Sequence, residues 1–205
     1  MNQQTKVALQ HLAPGFNDPQ LDAQRVFRQL LQAMARPGQI VPIDRLPEAP
    51  KPLSGGAAAL ALTLFDLDTP IWLDEALRAT AGDYLAFHTG APVPAEIGEA
   101  AFVLVADGKH LPDLSKIALG DAEYPERAAT IIVQVEGLRI ETGRRLRGPG
   151  ILGHVDINVD GLAPEFWTEL RKNRKRFPLG FDAVLVAGDM VLALPRTVVL
   201  DETEA

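Results

Sequence analysis

The residues best suited to anion chemistry are Arg144, Arg145 and Arg147, followed by Gly148-Pro149-Gly150. Arginine offers rigid forked donors, and glycine lets backbone N–H groups turn toward a phosphate. Gly148–His154 contains no lysine, so it does not meet the Gly-Lys-Ser/Thr requirement of a Walker loop. The competing reading is a loop between two strands whose arginines face water. Asp66 and Asp68 are the nearest carboxylate pair, but their place just before Thr69-Pro70 points to turn formation rather than acid/base work. Tyr84–His88 alternates as a strand; His88 at its end is either a proton shuttle or a hydrogen-bonded structural histidine.

Other chemistries lack their parts. The two serines, Ser54 and Ser115, sit outside any Gly-x-Ser-x-Gly elbow, so an acyl-transfer triad has no nucleophile. The four histidines, His11, His88, His110 and His154, show no metal-ligand spacing. With no cysteine, disulfides, thiolate-bound zinc and thiol catalysis are excluded. No catalytic set and no metal site is legible in the chain.

The elements that position these residues begin with Asp18–Gly38. Asp18 is an N-cap with Pro19 at the first helical position, and Arg36-Pro37-Gly38 ends the helix. Val26, Phe27, Leu30, Leu31 and Met34 supply an apolar stripe expected to face the core. Gln24 and Arg28 share another face, and Asp22 is spaced to pair with Arg25. Gln39–Ile43 reads as a strand, and prolines 42, 47, 50 and 52 make the next stretch a connector. Ser54 caps an apolar, buried helix; Asp74 caps a short one through Ala81.

Ala101–Ala106, Thr130–Val135 and Ala183–Ala187 are short apolar runs, as in strands covered on both faces. His110–Leu119 and Pro164–Arg176 are predicted helices between them. The second turns Phe166, Trp167 and Leu170 inward and ends in cations that suit the helix dipole. Ala187-Gly188-Asp189 is a turn between two strands, and Pro195 leaves Thr197–Leu200 as an edge or return strand. The expectation is a three-layer α/β domain with a mixed, mostly buried sheet over residues 16–200. A loose arm (1–15) precedes it and an acidic tail (201–205) follows.

At 205 residues the chain suits one domain with a sizeable core. Its net charge of −7 argues against nucleic acid, and no apolar run reaches the length that spans a membrane. The N-terminus has no secretory h-region, so a cytoplasmic protein is expected. Two basic clusters, Arg144–Arg147 and Arg171–Arg176, stand out on this acidic chain. Each is a solvated face or a contact for a small polyanion or an acidic partner.

The first helix, DAQRVFRQLLQAMARPG, resembles the opening signature of the PhnH family, the H subunit of bacterial carbon–phosphorus lyase, at Asp22, Gln24, Phe27, Arg28, Leu30, Leu31, Ala33, Met34, Pro37 and Gly38. The resemblance continues in order. It takes in Thr63–Asp66 with Asp68–Leu73, Phe87–Pro92, Gly120 through Thr130, Leu146–Ile151, and Phe177–Asp182 with Leu194–Thr197. Ala128 and Asp121 depart from the family's glycine and threonine.

This resemblance implies a cytoplasmic, homodimer-forming subunit of a core complex with the G, I and J subunits. That complex joins a phosphonate to C1 of the ribose of ATP and releases adenine. It also implies a fold related to the large domain of pyridoxal-phosphate transferases, without that cofactor. Accordingly, Lys6, Lys51, Lys109, Lys116, Lys172 and Lys175 lie in arm, connectors and charged helices rather than against a buried strand, where a Schiff-base lysine belongs. Three readings follow. One is a non-catalytic subunit of ribose 1-methylphosphonate 5-triphosphate synthesis. Another is a nucleotide- or phosphonate-binding subunit using Arg28, Arg147 and Arg196. The last is a purely structural, dimerising scaffold. Candidate ligand or partner contacts are Asp22, Gln24, Arg28, His88, Arg147, Gly148, Gly150 and Arg196.

Overall fold

Side-chain caps start the three helices of one layer. In the computed structural model, which describes residues 12–201, Asp18 accepts the Leu21 N–H and opens α1, Pro19–Ala35. Ser54 accepts from Ala57 and opens α2, Gly55–Leu64, which is buried from Gly56 to Ala61. Asp74 accepts from Leu77 and opens α3, Glu75–Thr89, which closes on Gly90 at a left-handed φ of 69°. Such caps satisfy N–H groups that the helix itself cannot.

Helix α3 corrects one expectation. The strand predicted over Tyr84–His88 is its C-terminal part. Leu77, Ala81, Tyr84 and Leu85 recur at helical spacing and are all fully buried. Burying that long stripe outweighs five residues of local alternation.

The main sheet has six strands, β1 (Ile40–Pro42), β2 (Ile71–Leu73), β3 (Phe102–Val105), β4 (Thr130–Gln134), β7 (Asp182–Ala187) and β8 (Met190–Leu194), in the order β1-β8-β7-β4-β3-β2. From β2 to β7 the pairing is parallel; β8 and β1 add antiparallel neighbours. The expected mixed sheet and the β7–β8 hairpin are present. Leu104, Ile132 and Val184 pack toward α1, α2 and α3. Val103, Val105, Ile131, Val133, Ala183 and Leu185 pack on the other side against Phe166, Trp167 and Leu170 of α4, Pro164–Arg176. Both faces are covered, which is why these strands read as unbroken apolar runs.

A second, three-stranded antiparallel sheet was not anticipated. It pairs β5 (Gly137–Arg147) with β6 (Val155–Asp160) and β9 (Val199–Leu200), in the order β6-β5-β9. Leu146, Ile157 and Leu200 turn into the same core as α4. Arg144–Arg147 therefore lies within a strand, and only Gly148 onward is loop. The predicted return strand survives as β9, an edge of this small sheet. Exposure hid β5, because most of its residues are polar and only Leu146 is buried.

The helix expected over His110–Leu119 is absent; the segment carries only one 3-10 turn, Leu114–Lys116. Asp113 does cap it, accepting from the Ser115 N–H. Leu114 and Ile117 are nonetheless buried against the second core, so an irregular segment covers the sheet there. At the N-terminus, Leu12, Ala13 and Phe16 lie against the first core, so the final part of the expected arm is packed; residues 1–11, with His11, fall outside the described residues, as do residues 202–205 of the acidic tail.

Candidate functional site

Helix α1 buries Asp22, Val26, Leu30 and Ala33. Phe27 and Leu31, assigned from sequence to the core-facing stripe, are instead 45% and 49% exposed. The stripe is too wide for one contact: the adjacent pairs Val26/Phe27 and Leu30/Leu31 spread it over more arc than the sheet and α2 cover. Gln24, Phe27, Arg28 and Leu31, spaced i, i+3, i+4, i+7, form one outer face, and all four are exposed. Arg25 is exposed as well, and neither it nor Arg28 has an ion-pair partner among the described residues. The outer face thus combines large apolar groups with unpaired arginines.

Asp22 is turned the other way. Its Oδ2 accepts the Asp18 N–H at 3.1 Å and its Oδ1 lies 3.4 Å from Arg45 Nε. The pair with Arg25 does not form, because Asp22 serves the helix N-terminus and the proline-rich connector. A cleft of about 310 Å³ opens here, lined by Asp22, Asp44, Arg45 and Glu48 among others. Asp22 is thereby separated from the Gln24/Arg28 face.

His88 lies in the last turn of α3, half-buried, with Nε2 3.0 Å from the Ala13 carbonyl oxygen. A carbonyl only accepts, so Nε2 carries the proton and the ring ties the N-terminal segment to α3. The Tyr84 and Phe87 rings pack against it at centroid distances of 4.6 and 5.0 Å. The fully buried Tyr84 hydroxyl has no hydrogen-bond partner among the described residues, and burial pushes its pKa up to about 12.

The glycine loop meets the end of α1. A Cβ at Gly150, whose φ is +83°, would run into the Ala35 carbonyl oxygen, and one at Gly38 into Val155. A backbone carbonyl at Gly150 and a packed valine side chain at Gly38 account for these glycines without a ligand. Gly148, at φ +136°, backs onto the Thr197 carbonyl oxygen. The arginines before it are divided among different contacts: Arg145 binds Asp156 at 2.8 and 2.9 Å, Arg147 Nε binds Asp201 at 2.9 Å, and Arg144 lies over the Trp167 ring.

Arg196 is the centre of a hydrogen-bonded node. It meets the Asp182 carboxylate through Nη2 at 2.6 Å and through its backbone N–H at 2.7 Å, and its Nη1 donates to the Pro125 carbonyl at 2.7 Å. Nearby, the fully buried Asn173 of α4 donates to the Phe181 carbonyl and accepts its N–H. A Cβ at Gly180 would crowd the Asn173 side chain. Most of the closing sequence block is thus explained as architecture.

Elsewhere, Asp66 and Thr69 close the predicted turn through side-chain and backbone bonds. After β3, Asp107 binds His110 Nδ1 at 2.9 Å, and Lys109 pairs with Glu136, all in exposed positions. Among the described residues no group of histidines and carboxylates is placed to hold a metal. Among the described residues no helix is long and apolar enough to cross a membrane. Arg28, Arg147 and Arg196 do not share a partner. Gln24 and Arg28 are brought together with Phe27 and Leu31, whose part the apolar stripe had concealed.

The distinctive residues of this α/β domain either lock its own loops or stand exposed on one face of its first helix. The chain belongs to the family described as bacterial phosphonate metabolism protein (PhnH), which matches residues 14–201. It is 43% identical over 189 residues to the alpha-D-ribose 1-methylphosphonate 5-triphosphate synthase subunit PhnH of Rhizobium meliloti (strain 1021), covering 91% of this chain and 94% of that protein. It is 35% identical over 175 residues to the putative C-P lyase subunit protein HtxG of Stutzerimonas stutzeri, covering 85% of this chain and 83% of that one.

Proposed function

We propose that this chain is a non-catalytic subunit of a multi-subunit enzyme of phosphonate metabolism. Its assembly makes α-D-ribose 1-methylphosphonate 5-triphosphate, the product in the name of its 43% identical relative. The observation that carries the subunit role is the outer face of α1. Phe27 and Leu31 stand exposed between Gln24 and Arg28, an apolar-and-arginine surface that the fold of the single chain does not use. In the finer form of the proposal, the protein is cytoplasmic and pairs with itself. It joins G, I and J subunits in an assembly whose substrate is ATP.

The chain takes no pyridoxal phosphate in this reading, although its fold is read as related to the large domain of the transferases that use it. Lys51, Lys109, Lys116, Lys172 and Lys175 are all exposed, and a Schiff-base lysine requires a desolvated site. The alternative of an own phosphate site built by Arg28, Arg147 and Arg196 has less support. Asp201 and Asp182 already hold the second and third of these.

Co-expression with the G, I and J subunits is expected to yield one stable co-purifying complex, and its absence would overturn the proposal. The isolated chain is expected to show no synthase activity and no calorimetric heat with ATP or methylphosphonate.

A further inference from the structure

The final two turns of α4 carry Arg171, Lys172, Arg174, Lys175 and Arg176 on a chain of net charge −7. Among the described residues only Lys172 of these five has an ion-pair partner, Glu169 at 2.5 Å. Like charges therefore face each other one helical turn apart at 171/174, 172/175, 171/175 and 172/176, a spacing that weakens a helix. The helix dipole accounts for cations in the last turn, Arg174–Arg176. It does not account for Arg171, which precedes that turn.

We propose that this basic end of α4 is a docking surface for an acidic face of a partner subunit; the proposal rests on the subunit role above. The kind of partner follows from geometry. At about 100° per residue, Arg171 and Arg176 diverge by roughly 140° around the axis, and Lys172 and Arg174 by roughly 160°. A single phosphate group engages at most neighbours such as Arg171 and Lys175, whereas the full array matches carboxylates distributed over a protein surface. Phe177, which follows directly and is exposed, adds an aromatic anchor beside the arginines, the pairing of residue types that interface centres favour.

The test uses the co-expressed complex and the double variant Arg174→Gln/Lys175→Gln, at exposed positions with no ion-pair partner among the described residues. For the wild type, affinity for the partner subunits is expected to fall steeply with salt. The variant is expected to lose roughly tenfold in affinity at low salt and to show a flatter salt dependence. Its unfolding midpoint does not fall below the wild-type value, because relief of the like-charge pairs offsets the lost dipole contact, and the charge-conserving Arg174→Lys/Lys175→Arg variant assembles normally.

Equal affinity and equal salt slope in wild type and Gln variant overturn this inference and leave the subunit role intact. A complex that fails to form even with the wild type overturns both. Tripolyphosphate raising the wild-type midpoint but not the variant's, with assembly unaffected, replaces the acidic partner by a small polyanion and overturns it as well. So does a changed self-association of the isolated chain with unchanged assembly.

Discussion

Arg196 and Arg28 both lie in sequence blocks that resemble one family, and the fold treats them oppositely. Arg196 and its partner Asp182 are only 14% and 17% exposed at their side chains, and the pair joins the start of β7, the chain after β8 and the Pro125 turn. Arg28 stands in water on α1 beside Phe27 and Leu31, with no ion-pair partner among the described residues. A sequence block marks both kinds of residue alike. Only burial and partners distinguish one that holds the domain together from one left for contact with something else.

The sharpest way to break the comparison is to remove Arg196. Arg196→Met strands a mostly buried carboxylate and should cost about 3–5 kcal/mol in urea unfolding. The Asp182→Asn/Arg196→Met double variant should cost less than the two single changes added together. Full additivity would show that the two residues act independently.

Gly150→Ala comes next. It places a methyl against the Ala35 carbonyl at a φ of +83°, and a loss of about 2 kcal/mol is expected. A wild-type melting temperature would mean that the loop is free to move off α1, reopening it as a ligand cradle.

On the other side of the comparison, Phe27→Glu/Leu31→Glu should leave monomer stability within about 0.5 kcal/mol, as exposed positions do. The same variant should weaken co-purification with the partner subunits by at least about tenfold. Large destabilisation with intact assembly would reverse the assignment of the two regions.

The smallest effect belongs to the exposed ion pairs of the second sheet. The Arg139 guanidinium holds the Asp160 and Glu141 carboxyls below the ordinary range, with Asn158 assisting at Glu141, and Arg145 does so for Asp156. A depressed folded-state pKa stabilises the fold above the unfolded value and loses that contribution as the carboxyl protonates. The melting temperature should therefore be level above about pH 5 and decline from about pH 4 downward. About 0.5 M salt should flatten the decline, because these pairs face solvent.

Local chemistry made much of the fold readable. Asp18, Ser54 and Asp74 start helices where their side chains reach the third N–H beyond them. The apolar runs at β3, β4 and β7 announce strands covered on both faces. What failed needed longer range. Tyr84–His88 alternates like a strand, yet Leu77 and Ala81 recruit it into α3. His110–Leu119 contains a sound cap, Asp113, but the chain keeps Leu114 and Ile117 buried through a single 3-10 turn.

The first helix divides along the same line. Its start, stop and amphipathic character follow from Asp18, Pro19, Pro37 and the spacing of its apolar residues, because caps and periodicity act within a few residues. Which part of a wide apolar stripe is core depends on how much area α2 and the sheet present to it, a quantity with no local signature. Tertiary structure alone therefore decided that Val26 and Leu30 are buried while Phe27 and Leu31 are not. It also decided that Asp22 turns to Arg45 rather than Arg25, and that Arg147 and Arg196 are held by Asp201 and Asp182.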